Sequence, residues 1–184
     1  MSGKRRRRHL PGDPSPGRLR ERAIRVDHAG EYGAVRIYEG QLRVLGRSAV
    51  GSLLRDMRDE EAKHLEIFNR LIVENRVRPS ALLPLWHVGG FLLGAGTALL
   101  GPKAAMACTA AVEEVIEQHY QGQIDSIGAD DRELEGVIAH CRAGEVEHRK
   151  TALRHGAEEV LAHRPLSEAI KAGCRLAIWL AERV

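Results

Sequence analysis

Aromatic side chains are scarce in this chain, with two Phe, three Tyr and two Trp among 184 residues. No run of alternating Val, Ile, Thr and Tyr occurs, so β-strands are not expected. The body is rich in Ala, Leu, Glu and Arg, which are strong helix formers, and the length suits one domain with a real core. The fold class expected is all-α. Cysteine is scarce too. Cys108, Cys141 and Cys174 are odd in number and form no Cys-x-x-Cys, which favours free, buried or partly buried thiols in a reducing compartment. No apolar run follows Arg5 to Arg8, so no secretory signal is expected. A Gly-x-Gly-x-x-Gly after a strand is also missing, which excludes a Rossmann-type dinucleotide site.

The net charge is only +3, but it is unevenly spread. Residues 1–20 hold seven Lys and Arg against Asp13 alone, while the other 164 residues carry 21 basic and 24 acidic side chains. The basicity therefore belongs to a tail, and no nucleic-acid partner is expected for the body. Residues 1–17, with Pro11, Pro14 and Pro16, are expected to form a disordered basic arm, and residues 18–184 the single domain. The arm is either a plain solvated tail or a segment attracted to anionic lipid.

One stretch lacks charge altogether. Residues 79–102, PSALLPLWHVGGFLLGAGTALLGP, hold no Asp, Glu, Lys or Arg, and His87 is their only titratable group. The length matches the roughly 20 apolar residues that span a bilayer. Pro84, five glycines and the want of a second such stretch argue against a span. An apolar helix in the membrane interface, or capping the bundle toward lipid, is expected instead, with Trp86 as an interfacial anchor. A central core helix is the competing expectation.

Against these absences stands a phrase written twice. Glu31 is followed 30 residues later by Glu61-Ala-Lys-His64, and Glu113 is followed 32 residues later by Glu145-Val-Glu-His148. Tyr38, Gly40, Gln41 and Leu42 follow Glu31 as Tyr120, Gly122, Gln123 and Ile124 follow Glu113. The offsets are 82 for the first helices and 84 for the second, so this is a duplicated helical hairpin. Residues three apart on a helix project from nearly one face, so each Glu-x-x-His reaches one point beside its helix. Two such pairs, with one Glu from each partner helix, are the ligand set of a two-iron carboxylate site in a ferritin-like four-helix bundle. Four carboxylates balance two ferrous ions, whereas four buried like charges alone would be costly. Surface ion pairing of these residues is the competing expectation.

The helices are expected over residues 18–46, then from a Ser48 cap to about Arg76, and over 103–127 with Gly128 as the stop. A further helix should run from Asp130–Asp131 to about Ala162, and a last one should follow Pro165 with Ser167 as cap. Its apolar stripe would be Ile170, Leu176, Ile178, Trp179 and Leu180, joined by Cys174. Glu60, Glu114, Glu117 and Glu147 lie off the repeated register and are expected to be bystanders. His119 and Tyr120, two turns beyond Glu113, are candidates to pass protons or electrons, with plain packing as the alternative. Asp27 and His28 either orient ligands or serve as a cap or surface pair.

From about residue 22 to the end the chain resembles the demethoxyubiquinone hydroxylases, the di-iron monooxygenases of ubiquinone biosynthesis. The resemblance rests on RVDHAGEYGAVRIYEGQL (25–42), LGAGTALLG (93–101), AMACTAAVEE (105–114) with His119-Tyr120, and AGCRLAIWLAERV (172–184). It implies Glu31, Glu61, His64, Glu113, Glu145 and His148 as ligands of two Fe2+, with Glu61 and Glu145 bridging. It implies O2 as co-substrate, a demethoxyubiquinone with a polyprenyl tail as substrate, and NADH as electron source, acting through a partner or directly on bound quinone. A lipid-binding accessory protein is an expected partner. The expected place is peripheral, on the cytoplasmic face of a bacterial inner membrane, or alternatively on the matrix face of the mitochondrial one. A ferritin-like iron store and a purely structural bundle are the competing functions.

Overall fold

The computed structural model describes residues 12–127, 131–161 and 163–184. Among them are six α-helices and no strand: α1 (Pro16–Leu45), α2 (Gly51–Glu74), α3 (Leu83–Leu99), α4 (Pro102–Ile127), α5 (Arg132–Arg154) and α6 (His163–Ala181). The all-α expectation holds. Helices α1, α2, α4 and α5 form the four-helix bundle; α3 lies along α1, and α6 along α4.

Helix α1 is buried on two sides, and that decides the architecture. Ile24, Asp27, Glu31, Ala34, Tyr38, Gln41 and Leu45 recur at helical spacing, while Val26, Ala29, Ile37 and Gly40 form a second buried set. The second set meets α3. A Cβ on Gly94 would run into the Ile37 carbonyl, and one on Gly90 would stand 2.9 Å from the Gly33 carbonyl. Only glycine lets the two backbones come this close. Helix α4 is buried continuously from Ala104 to Glu113, because neighbours surround it.

Beside two smaller clusters where α3 and α6 pack on α1 and α4, two large apolar plugs fill the bundle. One gathers Ile24, Phe68, Leu71, Tyr120, Leu134 and Ile138; the other gathers Tyr38, Leu54, Met57, Ala105, Met106 and Ala152. On each bundle helix the ligand-type residues sit between these two sets. Each fully buried Leu, Ile or Phe contributes roughly 1.5–3 kcal/mol, so both ends of the bundle are firmly held around a polar middle.

Several local expectations are corrected. Helix α1 begins at Pro16, so Pro16 and Gly17 belong to it rather than to an arm: Ser15 accepts from the Arg18 N–H, and proline suits the first turn. Residues 1–11 lie outside the described residues, as do Gly128, Asp130 and Ala162. Ser48 caps nothing; its hydroxyl turns back to the Leu45 carbonyl at 2.7 Å, and α2 starts at Gly51 without a side-chain cap. Asp131 does cap α5, accepting from the Leu134 N–H at 3.1 Å. That helix stops at Arg154, well short of residue 162, because Gly156 turns the chain at φ +82° into a short 3-10 turn. Helix α6 starts at His163, so Ser167 is a buried residue inside it and not a cap.

The charge-free stretch is no core helix. Within it α3 covers 17 residues, Gly101 at φ +109° breaks it from α4, and Gly94, Thr97 and Ala98 are its buried residues. Leu85, Val88, Leu92 and Leu99 remain mostly exposed. No helix among the described residues is long and apolar enough to cross a membrane. Trp86 is partly buried, packed with Leu83 and Ile178 against Val26, Ala29 and Ala181. The exposed tryptophan is Trp179 of α6, stacked under Arg183, and Leu176 of the same expected stripe is exposed as well.

Candidate metal centre

The repeat places its six residues at one level of the bundle. Glu31 comes from α1, Glu61 and His64 from α2, Glu113 from α4, and Glu145 and His148 from α5; all are buried. They form two overlapping groups, Glu31–Glu61–His64–Glu145 and Glu61–Glu113–Glu145–His148, in each of which the ligand atoms lie within 4.8 Å of one another. Glu61 and Glu145 belong to both groups. Surface ion pairing of these six is thereby excluded.

Both imidazoles turn Nδ1 inward. His64 Nδ1 lies 3.4 Å from Glu145, 3.7 Å from Glu31 and 3.8 Å from Glu61, and His148 Nδ1 lies 2.8 Å from Glu61. None of these inward atoms makes a well-formed hydrogen bond. Glu31 Oε2, both oxygens of Glu61 and of Glu145, Glu113 Oε2 and the two Nδ1 atoms are buried without a hydrogen-bond partner. Buried polar atoms are normally satisfied, so eight that face one another form a group that could hold cations. The donors are carboxylate oxygen and imidazole nitrogen, a set that suits iron.

The electrostatics agree. Burial first, then the His64 and Glu61 contacts, set Glu31, whose carboxyl is pushed up to about 8. Burial and the charges of Glu61, Glu113 and Glu31 push Glu145 well above its ordinary range, and burial raises Glu113. Burial also works against Glu61, but its contacts to His148 and His64 prevail and hold it down at about 2. Against the cost of burial, neighbouring carboxylates raise His64 to about 11 and His148 to about 9. Protons and imidazolium charge thus stand where cations would otherwise neutralise the cluster.

Each tyrosine of the repeat crosses to the other half. Tyr38 donates to Glu113 Oε1 at 2.8 Å, and Tyr120 donates to Glu31 Oε1 in a short bond. The pair closes the cluster from opposite plugs, an arrangement foreshadowed only by the repeat of Tyr at matching positions. Asp27 is buried, accepts from Gln123 at 2.8 Å and lies 3.1 Å from His119 Nε2. His119 itself borders a small cleft of about 280 Å³ with Arg22, Gly122 and Ser126. His28 pairs with Asn69 at 2.9 Å.

Of the four expected bystanders, three are that. Glu114 pairs with Arg149 and Lys171, Glu117 with Arg142 and Arg149, and Glu147 with Arg154 and Lys150. Glu60 is not: its Oε2 lies 2.7 Å from His148 Nε2. Sequence reasoning missed it because the second hairpin has Gly144 at the matching position, so no repetition points to it. Cys141 is the free, buried thiol expected, but its place beside Glu31 and His64 was not; burial drives its thiol far up.

Beside the cluster lies an apolar cleft of about 580 Å³ between α3 and α6, floored by α1 and α4. Gly30, Gly33, Gly89, Gly90 and Gly173 keep it open, and Gly30 and Val112 on its wall adjoin Glu31 and Glu113 in the chain. Cys174 lines it as well.

Comparison with known proteins agrees with this picture. The family model for "Ubiquinone biosynthesis protein COQ7" matches residues 18–181. The chain is 56% identical over 176 residues to a Rhodospirillum rubrum protein named 3-demethoxyubiquinol 3-hydroxylase, covering 95% of this chain and 83% of that one. It is 54% identical over 168 residues to the human NADPH-dependent 3-demethoxyubiquinone 3-hydroxylase, mitochondrial, covering 89% and 77%. With the yeast 5-demethoxyubiquinone hydroxylase, mitochondrial, it shares 42% over 181 residues, covering 89% and 78%. With a match over nearly its whole length and such relatives, the chain belongs to the ubiquinone biosynthesis protein COQ7 family.

Proposed function

We propose that this chain is a hydroxylase that replaces a ring C–H of a polyprenylated demethoxyquinone by C–OH, at two iron ions held by Glu31, Glu61, His64, Glu113, Glu145 and His148. The observation that carries it is the set of eight buried, unpartnered oxygen and nitrogen atoms facing one another beside an apolar cleft. Two ferrous ions bound there would supply reduction and activation of O2. The protein's part is then to hold charge, admit the ring and keep water out.

Glu61 and Glu145, common to both groups, fit the bridging role, and Glu31 and Glu113 the terminal one. Tyr38 and Tyr120 fix those terminal carboxylates from opposite sides, so each offers its second oxygen inward. Tyr120 bonds Glu31, and its sequence neighbour His119 pairs with Asp27 beside a small cleft, so this side of the cluster offers a candidate path for a proton from the surface.

The cleft fits a lipid-tailed ring. Its volume falls within the roughly 300–1,000 Å³ usual for small-molecule sites. A tail dragged into water would cost about 0.8 kcal/mol per CH2, so the substrate is best taken straight from a bilayer. The helices flanking the cleft carry exposed Leu85, Val88 and Leu92 on α3 and Leu176 and Trp179 on α6. These fit peripheral contact with a membrane, or with a lipid-binding accessory protein. Replacing Val88 and Leu92 with Asp should reduce co-sedimentation with liposomes, and undiminished binding would contradict the membrane contact.

The electrons come in this reading from a reduced nicotinamide. The family resemblance implied NADH, whereas the human relative is named NADPH-dependent. No strand exists among the described residues to build a Rossmann site, so the nicotinamide acts through a partner or directly on quinone. The test is anaerobic loading with ferrous iron, addition of demethoxyquinone, O2 and NADH or NADPH, and mass spectrometry. A hydroxylated product supports the proposal. Bound iron without product overturns it in favour of iron sequestration.

A further inference from the structure

The two imidazoles of the cluster are matched in what they face and unmatched in what stands behind them. Both turn Nδ1 toward the carboxylates, so with a cation held at Nδ1 the ring proton would sit on Nε2. His148 Nε2 donates that proton to Glu60 Oε2 at 2.7 Å. His64 Nε2 has no hydrogen-bond partner among the described residues. It faces the backbone of Gly144, where a Cβ would stand 2.7 Å from His64 Cε1 and 3.2 Å from Nε2. The offset of 84 that relates Glu61 to Glu145 also relates Glu60 to Gly144. The second hairpin thus has no carboxylate at this place, and the tight approach of its backbone leaves no room for one.

A carboxylate behind an imidazole fixes its tautomer and ring orientation and makes the other nitrogen a stronger donor. We propose that Glu60 is a positioning residue that makes the two metal sites unequal: the site completed by Glu113 and His148 binds ferrous iron more tightly than the site completed by Glu31 and His64. The inference rests on the di-iron reading above and adds an order of filling to it. Glu60 is well placed for a role apart from folding, since its side chain is 57% exposed while that of His148 is 3% exposed. Its removal opens no hole in the core.

Anaerobic calorimetric titration of the full metal-free chain with ferrous iron tests this. Two resolved binding events are expected. Glu60→Ala should weaken the tighter one by about 10–100-fold, the usual cost of losing such a partner, and leave the weaker one unchanged. Glu60→Gln, which still accepts a hydrogen bond but without charge, should fall between. In a His148→Ala background Glu60→Ala should add nothing; in a His64→Ala background it should keep its full effect. Circular dichroism of the variants should match that of the parent chain. Equal affinities in the parent, unchanged affinities in Glu60→Ala, or equal weakening of both events would overturn the inference. A chain that binds no ferrous iron would overturn the di-iron reading instead.

Discussion

The two hairpins agree closely in the middle of the bundle and part company at its outside. Inside, Glu31 and Glu113, Glu61 and Glu145, His64 and His148, and Tyr38 and Tyr120 stand in matched places, each tyrosine bonded to the carboxylate of the other half. Outside, Gly40 lies under α3 with a Cβ position blocked by the Ala95 and Phe91 backbone, while its repeat counterpart Gly122 has nothing within 4 Å. Glu60 stands behind His148, and Gly144 behind His64. A cluster that needs every donor tolerates little divergence, whereas a surface that meets a different neighbour in each half has no reason to stay alike.

The largest expected effect comes from breaking the agreement at its centre. Glu61→Ala or Glu145→Ala removes a carboxylate that both groups use, so the bound-iron content should fall to near zero and hydroxylation with it. Glu31→Ala and Glu113→Ala each remove a carboxylate used by one group only, and should leave one iron bound. Metal analysis after desalting checks both.

Next come the tyrosines. Tyr38→Phe and Tyr120→Phe each delete a hydrogen bond to a buried carboxyl group, worth about 1.5–3 kcal/mol, and should lower stability by similar amounts in denaturant titrations. Turnover should separate them. If His119 and Tyr120 pass protons as proposed, Tyr120→Phe slows the reaction and Tyr38→Phe does not.

The pH dependence of the metal-free chain is a smaller effect with a definite sign. Glu31 titrates at about 8 in the fold and lower when unfolded, so its contribution is lost as pH rises toward 8. The raised His64 and His148 act in the same sense, present at neutral pH and below and lost as pH climbs through about 9 and 11. Glu61, held at about 2, acts oppositely and loses its contribution only as pH falls toward 2. The unfolding free energy of the metal-free chain, read from denaturant titrations, should therefore decline from mildly acid to alkaline pH, with a slope on the order of 1 kcal/mol per pH unit. Iron should flatten that slope and release protons on binding, measurable with a pH indicator.

The smallest effect is at the matched glycines. Gly40→Ala should destabilise by about 1–3 kcal/mol through overpacking against α3. Gly122→Ala should stabilise by about 0.5–1 kcal/mol, since alanine suits a helix better and meets no neighbour. Equal effects at both would contradict the one-sided seating of α3 on α1.

What could be read in the sequence was what repeats. The hairpin pattern gave the bundle and the six-residue cluster, because helical spacing and duplication constrain each other. What stayed hidden depends on local turns and on contacts that no repetition announces. Ser48 and Ser167 have cap chemistry but sit where the chain has other uses for them, one bonded back to Leu45 and one inside α6. Gly156 ends α5 early through a left-handed turn that no periodicity announces. Glu60 looked idle because its partner lies 88 residues away on another helix. The charge-free stretch proved to be one-sided on α1, a matter of Gly90 and Gly94 fitting between backbones rather than of apolar content.

The central claim is that two half-sets of ligands build one shared two-iron site. Anomalous diffraction at the iron edge, from crystals of the chain loaded with ferrous iron, tests it most directly. Two iron peaks are expected inside the bundle, with Glu61 and Glu145 between them, Glu31 and His64 at one, and Glu113 and His148 at the other. A single peak, or iron held away from these six side chains, would contradict it.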